Sequence, residues 1–131
     1  MYFFCTIDRW MRDDVWPHIR EAYFVEIPKL LRGFVTEGLR KNLRKGLTTQ
    51  GLMRLTEAER AEKLEADLQT VTTLLDGQTF LLGDSPTLPD YSVGAMLVSM
   101  HKGPIETDQT RRITGDPQLM GYIARMQEAC E

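Results

Sequence analysis

The most constraining feature of the sequence is a run from Tyr91 to Met100 that contains almost no polar side chain. Only Ser92 and Ser99 interrupt the run, and both side chains are small. A helix that is apolar on every side has no face for water, so it belongs inside a bundle of other helices. The run is about half as long as a membrane span and stops before Pro104. It therefore predicts a central buried helix in a soluble helical domain.

Thr87 and Asp90 precede this run with the spacing of an N-capping box. In such a box each side chain bonds the backbone amide of the other residue at the start of the helix. Because this role accounts for Asp90, we interpret it as a structural residue rather than a catalytic carboxylate. Loss of the cap is predicted to cost about 1 kcal/mol of stability.

Elsewhere apolar residues recur at intervals of three and four, as they do on one face of a helix. Helices are predicted from Phe3 to Met11, from His18 to Phe24, and after Pro28, Thr56 and Asp116. The helix after Pro28 is expected to carry one apolar stripe, formed by Ile27, Leu31, Phe34, Val35, Leu39 and Leu43. Its glycines, which suggest close packing or kinks, are Gly33, Gly38 and Gly46. Because no extended alternating pattern occurs, we predict an all-α fold and a single domain over residues 1–131.

Charge and cysteine content exclude several classes of function. The chain of 131 residues carries a net charge of −3, which disfavours nucleic acid and anionic membranes as partners. Cys5 and Cys130 lie at opposite ends, and neither His18 nor His101 has neighbours at metal-ligand spacing. We therefore expect no metal, no nucleic acid and no membrane span. The first residues lack the features of a signal peptide, which favours a cytoplasmic location.

The charged residues are distributed unevenly along the chain. Residues 29–54 contain seven basic residues and one acidic residue, Glu37, whereas residues 57–90 contain eight acidic residues against Arg60 and Lys63. Two interpretations stay open. The basic half is either a site for an anion or acidic partner, or a solvated face that pairs with the acidic helix that follows it.

Two stretches resemble parts of the C-terminal domain of glutathione S-transferases. Residues 80–90, FLLGDSPTLPD, resemble the F-L-x-G-D-x-x-T-x-x-D signature before the central helix of that domain, and residues 116–126 are similar to its closing helix. Residues 8–10 with Trp16-Pro17, and residues 44–54, resemble the failed-axon-connections and metaxin-like branch. At two positions the chain departs from that branch, because Met53 and Leu55 replace a glycine and a histidine.

The resemblance implies a glutathione S-transferase C-terminal-like helical bundle. It implies that glutathione binds mainly to an N-terminal thioredoxin-like domain, which we expect to be absent here and to be a partner of this chain. This chain is then expected to hold no cofactor and to have no conjugating activity by itself, with glutathione bound only in the full-length context. A homodimer formed through the first two helical segments is also expected.

The resemblance further implies that the first two helices line a pocket for a small hydrophobic molecule. The candidates for its wall are Arg9, Trp10, Trp16 and Tyr23. Ordinary packing between helices is the alternative for each of them. A second function also stays open, because the metaxin-like resemblance permits a non-enzymatic helical module for protein interaction.

Overall fold

A computed structural model describes all residues from 1 to 131 and contains seven α-helices and no β-strand. The helices are α1 (Tyr2–Trp10), α2 (Trp16–Tyr23), α3 (Lys29–Thr49), α4 (Glu57–Leu74), α5 (Leu88–His101), α6 (Asp108–Thr114) and α7 (Pro117–Glu128). A single 3-10 turn spans Leu52–Arg54. The prediction of an all-α fold is confirmed.

The chain forms two compact units, residues 2–62 and residues 63–131 together with Met1. The core of the first unit contains Ile7 from α1, Met11 directly after α1, and Leu47 from α3. Four half-buried apolar residues pack against this core, namely Trp10, Leu43, Leu52 and Met53. Whether the chain folds as the predicted single domain stays a prediction.

Short polar residues mark the beginnings of several helices. The Asp116 carboxylate accepts the amides of Gln118 and Leu119 before α7. Thr107 accepts the amide of Thr110 and caps the start of α6, a helix of seven residues that the apolar periodicity did not predict. Side chains that satisfy free amides in this way fix where a helix starts.

Most of the apolar stripe of α3 is exposed to solvent, although Leu43 packs against the core. The buried residues of α3 are Arg32, Thr36 and Leu47, whereas the exposed ones include Leu31, Phe34, Val35 and Leu39. Arg32 causes much of this arrangement, because its guanidinium donates to the carbonyl oxygens of Val25 and Ile27 and to Glu21. Charged hydrogen bonds to the preceding segment thus turn a polar side of α3 inwards.

The glycines of α3 do not serve the close packing that the sequence suggested. A Cβ atom added at Gly33, Gly38 or Gly46 would have no heavy atom within 4 Å, and the helix continues through all three positions. Close packing occurs instead at Gly94 in α5, where a Cβ would lie 2.7 Å from Cγ of Met126. The sequence pattern could not distinguish these positions because the contacting residue is distant in the chain.

The second unit is arranged around α5, which contacts both α6 and α7. One side of α5 buries Asp90, Gly94, Leu97 and Met100. The other side is more open than an apolar helix suggests, since Tyr91 is exposed. The predicted bundle with a central helix is confirmed, and this helix has one partly uncovered side.

Ion pairs and hydrogen bonds attach the remaining helices of the second unit to one another. Arg112 of α6 donates to both carboxylate oxygens of Glu65 in α4, at 2.7 and 2.8 Å. Gln118 of α7 donates to the carbonyl oxygen of Thr72 in α4. None of the helices is long and apolar enough to cross a membrane.

Candidate functional site

Three aromatic side chains pack together where the first two helices meet. Trp10 ends α1, Trp16 begins α2, and their ring centroids are 5.0 Å apart. Phe24, directly after α2, meets both rings edge-on at centroid distances of 5.7 and 6.2 Å. Trp16 is only 3% exposed, whereas Trp10 is half-buried. The three rings form one aromatic cluster, in which the two contacts of Phe24 have the edge-to-face geometry that aromatic pairs prefer.

Arg40 of α3 contacts the aromatic cluster through hydrogen bonds and through its positive charge. Its Nε atom donates to the Trp10 carbonyl oxygen at 2.6 Å, and Nη2 donates to the Met11 carbonyl oxygen at 3.1 Å and to Asp13 at 2.6 Å. The guanidinium carbon also lies 5.5 Å from the centroid of Trp16. Carbonyls at the end of a helix lack partners within it and carry partial negative charge. The Arg40 guanidinium therefore stabilises the end of α1 and also contacts the ring of Trp16.

Glu37, one turn before Arg40, fixes the orientation of Trp16. The indole Nε1–H of Trp16 donates to Glu37 Oε1 at 2.9 Å. The same carboxylate oxygen lies 3.7 Å from Nη1 of Arg40. Because a buried indole N–H needs an acceptor, this contact holds the ring in one position.

An open groove of about 910 Å³ runs along α3 beside these contacts. Arg40 and Glu37 both contact Trp16, and both also line the groove. The groove is lined by Asp13, Gly33, Phe34, Val35, Glu37, Gly38, Arg40, Lys41 and Arg44.

A second polar centre lies in the second unit around the carboxylate of Asp90, which is fully buried. Oδ1 accepts the backbone amide of Leu81 at 2.8 Å and the hydroxyl of Tyr122 at 3.0 Å. Oδ2 accepts the amide and the hydroxyl of Thr87 at 2.8 and 2.6 Å. The carboxylate thus joins the loop before α5, the start of α5 and the middle of α7.

These contacts shift the pKa values of the Asp90 carboxyl group and the Tyr122 hydroxyl group in opposite directions. Burial by itself would raise the pKa of Asp90, but hydrogen bonds from Leu81 and Thr87 outweigh it and lower this pKa below 3.8. Burial, together with the bond to the Asp90 carboxylate, raises the pKa of Tyr122. A low carboxylate pKa beside a protonated phenol suits a structural contact and does not suit proton transfer near neutral pH.

A family model described as glutathione S-transferase, C-terminal domain, matches residues 56–125, which is more than half of the chain. The chain belongs to this family. Neither the curated proteins nor the solved structures gave a match. The residues matched to the glutathione S-transferase C-terminal domain include Asp90 and Tyr122, whereas the aromatic cluster and the groove lie before them in the sequence.

The four wall residues predicted from the resemblance to glutathione S-transferases lie in different environments. Trp10 and Trp16 are in contact in the aromatic cluster. Arg9 is half-buried in α1, and Tyr23 at the end of α2 is 56% exposed. The structure thus brings two of the four together, and none of the four lines the groove of α3.

Sequence reasoning missed Phe24, Glu37 and Arg40, which complete the site around the two tryptophans. One signal for Glu37 was available, because it is the single acid among the basic residues of positions 29–54. Nothing in the local pattern distinguished Arg40 from its basic neighbours. Its partners Trp10 and Met11 are about thirty positions earlier in the chain.

Proposed function

We propose that this chain is the helical domain of a glutathione S-transferase-like protein, and that its first helices supply the wall of a pocket for a small hydrophobic molecule. The aromatic cluster carries this proposal. Trp10 and Trp16 are in contact, and Arg40 and Glu37 hold them from α3. A half-buried indole held by these contacts can stack on an apolar ligand with little loss of side-chain entropy.

In this proposal the helical domain orients the hydrophobic molecule and the thioredoxin-like domain binds glutathione. Conjugation needs a thiolate, which is the reactive form of the glutathione sulfur. The residues of this chain would position the electrophile and exclude water around it. We also propose that the chain acts in the cytoplasm. The resemblance of residues 8–10 and 44–54 supports a further proposal, that the chain belongs to the failed-axon-connections and metaxin-like branch.

The two tryptophans make the proposal directly measurable, because they are the only ones in the chain and both lie in the aromatic cluster. We expect S-(dinitrophenyl)glutathione, whose nitroaromatic group absorbs indole emission, to quench tryptophan fluorescence with a saturable dependence on concentration. Trp10→Ala should weaken binding about tenfold, whereas Trp10→Phe should bind almost as the parent does.

Tyr91→Ala is a matched control, since this exposed aromatic residue lies in α5 rather than in the aromatic cluster. It should leave the affinity unchanged. Circular dichroism would establish that each variant is folded. Quenching that rises linearly without saturation, or equal affinity in Trp10→Ala and the parent, would show that the aromatic cluster is not a ligand wall.

We propose self-association through the first helices as well. Phe4 is buried in α1, but Tyr2 and Phe3 contact each other and are both exposed. Exposed aromatic pairs of this kind favour association, and two-fold dimers are the commonest oligomers. In sedimentation velocity we expect a concentration-dependent dimer that Phe3→Ser weakens. A monomer at all concentrations would contradict this proposal.

A second function, a non-enzymatic module for protein interaction, is favoured by a different observation. The outer side of α3 exposes large apolar side chains, of which Phe34 is 85% exposed. Exposed apolar patches on folded proteins mark sites of interaction.

A further inference from the structure

The outer side of α3 has two halves of different chemistry. Its first turns expose Leu30, Leu31, Phe34 and Val35, and Leu30 is 98% exposed. The opposite side of the same helix buries the polar residues Arg32 and Thr36. In its first turns α3 is thus the reverse of an ordinary surface helix, whose apolar side faces the core. Water is a poor environment for four adjacent large apolar side chains.

The last turns of the outer side carry three exposed basic residues, Lys41, Arg44 and Lys45. None of them forms an ion pair in the structure, in contrast to Arg32, which pairs with Glu21, and Arg40, which pairs with Asp13. The two carboxylates that line the same groove, Asp13 and Glu37, lie against Arg40 instead, so the three basic residues of the last turns keep an exposed positive charge without an ion-pair partner. An acidic partner would complement it.

The two halves lie along one continuous line of the helix. Residues that are three and four positions apart share a face, so Phe34, Gly38, Lys41 and Lys45 follow one another along α3. Gly38 lies between the apolar and the basic half, and a Cβ there would meet no atom within 4 Å. The groove includes Phe34, Gly38, Lys41 and Arg44. From Leu30 to Lys45 the line is about 22 Å long, which equals four turns of a partner helix.

We propose that the outer side of α3 binds an amphipathic helix of a partner protein, with apolar residues packed on Leu31 and Phe34 and acidic residues opposite Lys41, Arg44 and Lys45. This inference rests on the second proposed function, an interaction module, and names its surface and the chemistry of its partner. Helix-in-groove recognition uses apolar anchors for affinity and flanking charge for selection.

A membrane surface and a second copy of the chain fit the outer side of α3 less well. A helix that lies on a membrane has an apolar stripe along its whole length with cations beside it, whereas here the apolar and basic halves follow one another. A second copy of the chain offers acidic residues at the start of α4. The exposed residues that follow in α4 are mostly small or polar, including Ala66, Gln69 and Thr70, and give little apolar surface for Phe34.

The test is a selection from an unbiased library of helical peptides displayed on phage, with the full chain as target. We expect the selected peptides to carry apolar residues in one half and glutamate or aspartate in the other. A synthetic peptide from this set should bind at least about tenfold more weakly to the variant K41E/R44E/K45E and to Phe34→Asp. All four substituted side chains are exposed, so these variants should fold.

A charge-reversed peptide, with lysine in place of each acid, is the matched control. It should bind the parent weakly and the K41E/R44E/K45E variant about as well as the acidic peptide binds the parent. Peptides that bind without an acidic half, or that bind both variants as they bind the parent, would overturn this inference while the interaction module stands. A selection that yields no binding peptide would overturn both.

Two further measurements distinguish a partner helix from a second copy of the chain and from a membrane surface. Sedimentation of the Phe34→Asp variant should match the parent, and loss of self-association in this variant would show that a second copy covers α3. Vesicles of phosphatidylcholine and phosphatidylserine should not bind the chain. Vesicle binding that depends on Phe34 would overturn the proposal in favour of a membrane surface.

Discussion

At the scale of single residues, Asp90 shows how a buried charge is retained in an apolar core. Moving a carboxylate out of water costs several kcal/mol unless its oxygens are hydrogen-bonded. Leu81, Thr87 and Tyr122 together provide four donors to Asp90. The residue therefore has a larger role than the helix cap that the sequence indicated, because its partners also include a loop amide and a residue of α7.

This difference predicts unequal effects of mutation. Thr87→Ala should lower the free energy of unfolding by about 1 kcal/mol, whereas Asp90→Ala should lower it by about 3 kcal/mol because it leaves several buried donors unpaired. Tyr122→Phe removes a single donor and should cost about 1 kcal/mol. Urea unfolding measures all three. Equal losses for Thr87→Ala and Asp90→Ala would show that Asp90 serves only as a helix cap.

The lowered pKa of Asp90 predicts a dependence of stability on pH. A carboxyl group that ionises more readily in the folded state stabilises the protein above its unfolded pKa, and this contribution is lost as the pH falls through the folded pKa. The difference in unfolding free energy between the parent and Asp90→Asn should therefore be constant near neutral pH and shrink below pH 3.8. A difference that stays constant in acid would contradict the assigned ionisation.

At the scale of helices, the sequence predicted starting points better than it predicted buried sides. A helix start depends on nearby residues such as Asp116, whose carboxylate reaches amides two and three positions later. The buried side of α3 depends on distant partners instead, since Arg40 reaches α1 across about thirty positions. Periodicity therefore predicted that α3 is a helix but did not identify its buried side. The short helix α6 was missed because seven residues give little periodicity.

Two glycines in helices should respond in opposite ways to alanine. Gly46 in α3 has open space around its Cβ position, so Gly46→Ala should raise the unfolding free energy by about 1 kcal/mol. Gly94 in α5 faces Met126 at 2.7 Å, so Gly94→Ala should lower it by about 2 kcal/mol through overpacking. Thermal unfolding of both variants checks the prediction. Destabilisation by Gly46→Ala would indicate that α3 is packed more closely at this position.

The candidate site could be predicted in part for the same physical reason. Trp10 and Trp16 stand beside a helix break, and the resemblance to glutathione S-transferases assigned them to a pocket wall. Their support by Glu37 and Arg40 required the path of α3, which the local pattern does not contain. Tyr23 was selected in place of its neighbour Phe24, because the sequence does not reveal which of two adjacent aromatic residues turns inward.

At the scale of the whole molecule, the proposed division of labour places the thiol chemistry outside this chain. Chlorodinitrobenzene and glutathione mixed with the purified chain should therefore react at the buffer rate, followed by the absorbance of the product. The reason is that the proposal assigns no residue here to the activation of the glutathione thiol. Conjugation above the buffer rate, with contaminating transferases removed, would contradict this division.

The central claim, that the aromatic cluster forms a ligand wall, is tested most directly by the two indole N–H resonances in a two-dimensional NMR spectrum. Their assignment follows from the variants Trp10→Phe and Trp16→Phe. The Trp16 resonance should exchange slowly with solvent, since its N–H donates to Glu37. Titration with S-(dinitrophenyl)glutathione should shift both indole resonances in a saturable manner, with the larger shift at the half-buried Trp10. Unchanged indole resonances, together with saturable shifts of backbone amides elsewhere in the chain, would show that the ligand binds at another site.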